Sequence, residues 1–89
     1  MVEKKLVIRN KLGLHARAAV RFVNLANRFR SRVRIIKDGA EIDGKSILGI
    51  LTLAATQHST ITLKVWGGDE REALQALTGL VNDRFEEKE

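Results

Sequence analysis

The chain has 89 residues, a net charge of +5 and no cysteine, and its pI lies near 10.1. That length supports one small core, so residues 1–89 are read as a single domain. The absence of cysteine excludes disulfides and thiol chemistry. No apolar run is long enough for a membrane span, and the opening Met1–Arg9 has too short a run for a signal peptide, so a cytoplasmic protein that needs no membrane is expected.

Val2 to Arg9 alternates around Leu6 and Ile8, with Lys5, Val7 and Arg9 facing the other way, and reads as a half-buried strand. Asn10 to Gly13 is a turn. From Ala16 to about Phe29 the period changes. Ala19, Phe22, Val23, Ala26 and Phe29 form one apolar helical stripe, while Arg17, Arg21, Asn24 and Arg28 form the opposite, basic one. Arg32 to Lys37 alternates again, and Asp38-Gly39 signals a two-residue hairpin into a short strand from Ala40 to Asp43.

Ser46 stands where a helix N-cap belongs, ahead of Ile47-Leu48-Gly49-Ile50-Leu51-Thr52-Leu53. That helix is apolar nearly all round, so part of it is expected to be exposed. Ile61, Leu63 and Val65 mark a further strand, ended by Gly67-Gly68. Asp69 with Glu72 reads as a capping box, and Ala73, Leu74, Leu77, Leu80, Val81 and Phe85 share one side of the closing helix. Glu86 to Glu89 reads as a frayed tail.

The order β-α-β-β-α-β-α, with alternating strands, implies an α+β fold: an open-faced β-sandwich with a four-stranded antiparallel sheet and three helices on one face. Gly39 to Ser46 satisfies the nucleotide-binding pattern GxxxxGK[ST]. It is rejected, because Asp38-Gly39 serves better as a hairpin turn and Glu41 and Asp43 would place negative charge in a phosphate cradle. Two widely separated histidines, no cysteine and scattered carboxylates make no zinc set or catalytic triad, so neither metal nor cofactor is expected. His58 reads as a solvated loop residue.

His15 is the remaining chemical signal. At a helix start the macrodipole disfavours imidazolium, which leaves a neutral, nucleophilic ring. A phosphoryl group on that ring would meet free backbone N–H groups and the guanidinium of Arg17. A shallow site of this kind suits a group that must be reached by a donor and an acceptor in turn. On these residues alone, a lone histidine in a turn is more often structural or idle than chemically used.

At these positions the chain resembles the HPr family, the histidine phosphocarriers of the bacterial phosphoenolpyruvate-dependent sugar phosphotransferase system. Gly13-Leu14-His15-Ala16-Arg17 is similar to that family's phosphorylation motif, and Gly44-Lys45-Ser46-Ile47-Leu48-Gly49-Ile50-Leu51 to its second signature. The resemblance implies that His15 accepts a phosphoryl group from phospho-enzyme I and passes it to the IIA component of a sugar permease. It implies that Arg17 stabilises that group, and that the carrier is no enzyme itself. Arg21, Asn24 and Arg28 with Ile47, Leu48 and Leu51 would form the docking surface of a monomer.

In relatives from bacteria with an HPr kinase the serine matching Ser46 is phosphorylated for regulation, which makes HPr kinase/phosphorylase a further candidate partner. The family motif reads His-Ala-Arg-Pro, whereas here Ala18 holds the proline position, giving the first turn more freedom. A regulatory relative that signals to nitrogen or carbon metabolism therefore stays open. So does a basic nucleic-acid-binding module, motivated by the charge of +5, although the resemblance implies neither nucleic acid nor membrane as a partner.

Overall fold

Each strand alternates and so offers one apolar face, and the computed structural model, which describes residues 1–89, joins these faces into one covered layer. The strands are β1 (Val2–Val7), β2 (Arg32–Lys37), β3 (Ala40–Asp43) and β4 (Thr60–Trp66), paired antiparallel throughout in the order β1-β4-β2-β3. In that register Leu6 lies opposite Ile61, and Val33 and Ile35 lie opposite Val65 and Leu63. All six are buried.

Helices α1 (Ala16–Ala26), α2 (Ile47–Thr52) and α3 (Glu70–Asn82) cover this face. They bring Phe22, Val23 and Ala26, then Ile50, then Ala73, Leu77 and Val81 into the same cluster. The expected open-faced sandwich, β-α-β-β-α-β-α, is what the chain forms. Asp38 and Gly39 both have positive φ, 50° and 83°, as a tight hairpin turn requires. Lys45 donates to the Phe29 carbonyl at 2.7 Å, so residues 39–46 serve as turn, strand and helix cap.

Three boundaries and one helix cap differ from the sequence reading. β1 stops at Val7, yet Ile8 stays buried, donating to the Ser59 carbonyl at 2.9 Å and accepting from the His58 N–H at 2.7 Å. α1 stops at Ala26 because the next turn tightens: Arg28 and Phe29 donate to Leu25 and Ala26, three residues back. Phe29 still packs on the core, half-buried, from outside the helix.

Asp69 does occupy the N-cap position of α3, but the capping box does not form. Its carboxylate turns instead to the loop after α1, accepting from the Arg30 N–H at 2.9 Å, the Ser31 N–H at 3.0 Å and the Ser31 hydroxyl. Those donors, the Ser31 hydroxyl foremost, hold the carboxyl below the ordinary aspartate range.

α3 also stops early, at Asn82, and Phe85 reaches the core by another route. Arg84, Phe85 and Glu86 form a short left-handed turn with φ of 56°, 54° and 64°. Such a conformation costs about 1–2 kcal/mol per residue for L-amino acids. Complete burial of the Phe85 ring offsets part of that cost.

Ile50 is the only fully buried residue of α2 and pins that helix to the core. Ile50→Ala should lower the unfolding free energy by about 2–5 kcal/mol in urea, with the m-value unchanged. A loss below about 1 kcal/mol would mean that α2 is held by its N-cap rather than by packing.

Candidate functional site

His15 is the N-cap residue of α1. Its backbone is extended, its carbonyl accepts the Ala19 N–H at 2.9 Å, and its ring Nδ1 accepts the Arg17 N–H at 3.3 Å. The imidazole thus does what a serine or aspartate side chain does at most helix starts. At 3.3 Å the bond is long, and the Nδ1 lone pair is only loosely engaged.

The loop before it explains why the ring sits there. Gly13 has φ of 66°, and a Cβ at this position would run into the Ala55 carbonyl oxygen, far inside contact distance. Only glycine fits. Leu14, buried, donates its N–H to that same carbonyl at 2.9 Å, tying the start of α1 to the segment that follows α2.

The other ring nitrogen has a partner that the sequence reading did not anticipate. Residues 86–89 are no frayed tail. After the left-handed turn the chain runs back over the start of α1, and Glu87 places one carboxylate oxygen 2.7 Å from His15 Nε2. The second oxygen accepts from Asn10 Nδ2, also at 2.7 Å. Asn10, fully buried, donates in turn to the Gly13 carbonyl at 2.7 Å, and the Lys11 N–H donates to the Glu89 carbonyl at 2.5 Å. The Glu87 side chain is 13% exposed and the His15 side chain 26%. The ring is thus engaged at both nitrogens, by the helix start that the sequence made visible and by a carboxylate that it did not.

The remaining candidates fall into two groups. Arg17 is exposed, and its backbone rather than its side chain meets His15. Arg21, one turn on, is drawn into the closing segment: its guanidinium donates to the Phe85 carbonyl at 2.6 Å and lies 3.9 Å from the Glu86 carboxylate. Asn24 and Arg28 are exposed further along, lining a groove with Leu25, Leu80 and Glu86.

On α2, which packs beside α1, Leu48 is 76% exposed, Ile47 partly so, and Leu51 half-buried. The Ser46 hydroxyl caps that helix, accepting the Gly49 N–H at 3.0 Å. His58 is exposed in its loop.

The family model "PTS HPr component phosphorylation site" matches residues 2–83. The phosphocarrier protein HPr of Cupriavidus necator is 46% identical over 89 residues, covering the whole of both chains. A crystal structure of HPr from Thermoanaerobacter tengcongensis superposes with a TM-score of 0.96 at 40% identity, again over both whole chains. A crystal structure of Crh from Bacillus subtilis, described as a dimer with a swapped domain, reaches 0.77 at 44% identity, covering 94% of this chain and 97% of the other. No helix here is long and apolar enough to cross a membrane.

Two opposing influences set the ionisation of Glu87. Partial burial pushes its carboxyl up, but hydrogen bonds from Asn10 and His15, with the nearby positive charge of His15 and Arg21, bring it below the ordinary glutamate value. A carboxyl depressed on folding stabilises the fold above its unfolded value, and that contribution is lost as pH falls through the lowered folded value. Acidification below the ordinary glutamate pKa of about 4.3 should therefore release residues 86–89 while the sheet persists. Amide exchange at Lys11 reports the release, and unchanged protection of that amide down to acid unfolding would exclude it.

Proposed function

Because the chain belongs to the HPr family of phosphotransferase-system phosphocarriers, we propose that it carries a phosphoryl group on His15. The observation that carries this reading is the disposition of the ring. Nδ1 presents a loosely held lone pair to the start of α1, where unpaired backbone N–H groups and the positive end of the helix dipole favour an incoming anion. The exposed Arg17 side chain is free to swing onto that anion and neutralise it.

In this role the residues 1–89 act as one cytoplasmic carrier domain, monomeric, with no catalytic turnover of its own. Phospho-enzyme I is the donor and a IIA component the acceptor. Both dock on the surface formed by Asn24 and Arg28 of α1 with Ile47, Leu48 and Leu51 of α2. Positive charge speeds the encounter and a small apolar patch supplies contact, while the modest area keeps the complex short-lived. Arg21, held by the Phe85 carbonyl, contributes charge to this surface from a fixed position.

A second role, regulation through Ser46, is favoured by the likeness to Crh and by the position of the hydroxyl at the head of α2. A phosphate there stays compatible with the helix start but adds two negative charges beside Ile47 and Leu48. HPr kinase/phosphorylase is the enzyme class that would install and remove it.

Incubation with phosphoenolpyruvate and enzyme I, followed by mass measurement, should give an acid-labile phosphate adduct that is absent in His15→Ala. An unlabelled wild-type chain beside a competent enzyme I would reject the carrier reading. Ser46→Asp should raise the enzyme I concentration needed for half-maximal transfer by about tenfold, equivalent to about 1.4 kcal/mol of docking. Unchanged transfer in that variant would remove the regulatory role.

A further inference from the structure

We propose that Glu87 is a positioning residue for His15, holding the proton on Nε2 so that Nδ1 remains the attacking nitrogen throughout the phosphoryl cycle. The proposal rests on the carrier reading above and concerns residues beyond 83, where the family model's match ends.

Both ring nitrogens specify the same tautomer. Nδ1 accepts the Arg17 N–H, and a nitrogen that accepts carries no proton. In the neutral ring the proton therefore sits on Nε2, where the Glu87 carboxylate is ready to receive its hydrogen bond at 2.7 Å. The carboxylate is itself oriented. Its other oxygen is bound to Asn10 Nδ2, and Asn10 also holds the Gly13 carbonyl, so the loop that carries the histidine also aims the residue that directs it.

The closing segment is built to deliver this carboxylate. Three successive left-handed residues would not persist in a free chain end. Here the buried Phe85 ring, the Arg21 guanidinium on the Phe85 carbonyl and the Lys11 N–H on the Glu89 carbonyl hold the chain on both sides of Glu87.

The chemistry gives the carboxylate work at both transfers. When Nδ1 attacks a phosphoramidate donor, the Nδ1–phosphorus bond forms as the donor's nitrogen–phosphorus bond breaks, and that electron pair stays on the donor nitrogen. The Nε2 proton remains in place, so the ring becomes an imidazolium, and its positive charge develops opposite Glu87. When the acceptor attacks phosphorus, the Nδ1–phosphorus bond breaks, its electron pair returns to Nδ1, and the ring is neutral again with the proton still on Nε2.

A buried carboxylate plays the same orienting part for the histidine of a hydrolase triad, without taking the proton itself. The charged groups on the elements around this pair include Arg17 and Arg21 from α1, Lys11 from the loop, and Glu86, Lys88 and Glu89 from the closing segment.

The test compares wild type with Glu87→Gln, Glu87→Ala, Glu87→Asp and Lys88→Ala. Glutamine offers one acceptor oxygen where Asn10 and His15 both donate, so it breaks the arrangement at nearly constant volume. In the unphosphorylated chain, the His15 Nε2 proton should appear as a slowly exchanging downfield resonance that vanishes in Glu87→Ala. In transfer from phospho-enzyme I, Glu87→Gln should lower the maximal rate by about tenfold or more with KM within about twofold. Glu87→Asp should recover part of that loss, and Lys88→Ala, exposed on the same segment, should match wild type.

A maximal rate unchanged or raised in Glu87→Gln would overturn the proposal, the second outcome making residue 87 a cover rather than a guide. A wild-type chain that never labels would instead reject the carrier reading, and the ring-proton measurement would still decide whether Glu87 holds Nε2.

Discussion

The place of His15 depends on one close approach of backbone. Gly13, in a left-handed conformation that leaves no room for a side chain, lets the chain press against the Ala55 carbonyl, which then receives the Leu14 N–H. That contact fixes where α1 begins, and with it the direction of the orphan N–H groups at its first turn. The buried stripe of α1 sets only the azimuth of the helix on the sheet. Its axial position, and so the height of the ring, comes from the glycine.

The second anchor is remote in sequence. Phe85 is completely buried, and its insertion forces the chain into a left-handed turn that reverses direction toward the same loop. Loop 10–14 is consequently held from two sides, by the Ala55 carbonyl beneath and by Glu87 and Glu89 above. This bears on Ala18, which stands where the family motif has proline. Its side chain is fully buried at the third helical position, so packing restrains the turn that proline would otherwise pre-set. The softness that the substitution suggests is countered from outside the motif.

Much of this was legible in the sequence because it is written in local pattern. Alternation placed all four strands, the 3.6-residue stripe placed α1 and α3, and Asp38-Gly39 and Ser46 announced a turn and a cap that both formed. The misreadings share a cause. Asp69 and Glu72 match a capping box, but the loop at Arg30 and Ser31 offers the carboxylate three donors at once, and tertiary contacts won over the local motif. Phe85 fell on the apolar side of α3 by periodicity and is indeed buried, yet from outside the helix.

Glu87 and Asn10 carried no pattern at all. A run of glutamates and lysine after a helix has the composition of a solvated end, and nothing local encodes a left-handed turn through Arg84, Phe85 and Glu86. The clue that existed was one of balance. A large aromatic, placed just past the point where the helix can continue, has to be buried somewhere, and burying it commits the residues that follow.

The two ring nitrogens of His15 are engaged from opposite ends of the chain: Nδ1 accepts the Arg17 N–H at the start of α1, and Nε2 faces the Glu87 carboxylate of the closing segment. The two contacts differ in tightness, the first long at 3.3 Å and the second short at 2.7 Å. Under the proposed carrier role that difference has a use: the nitrogen that would take the phosphoryl group is the loosely engaged one, while the other keeps the ring in place. A carrier has to hold its group no more tightly than the next acceptor can overcome, and with 26% of the histidine side chain open to solvent the ring lies within reach of a partner without a pocket.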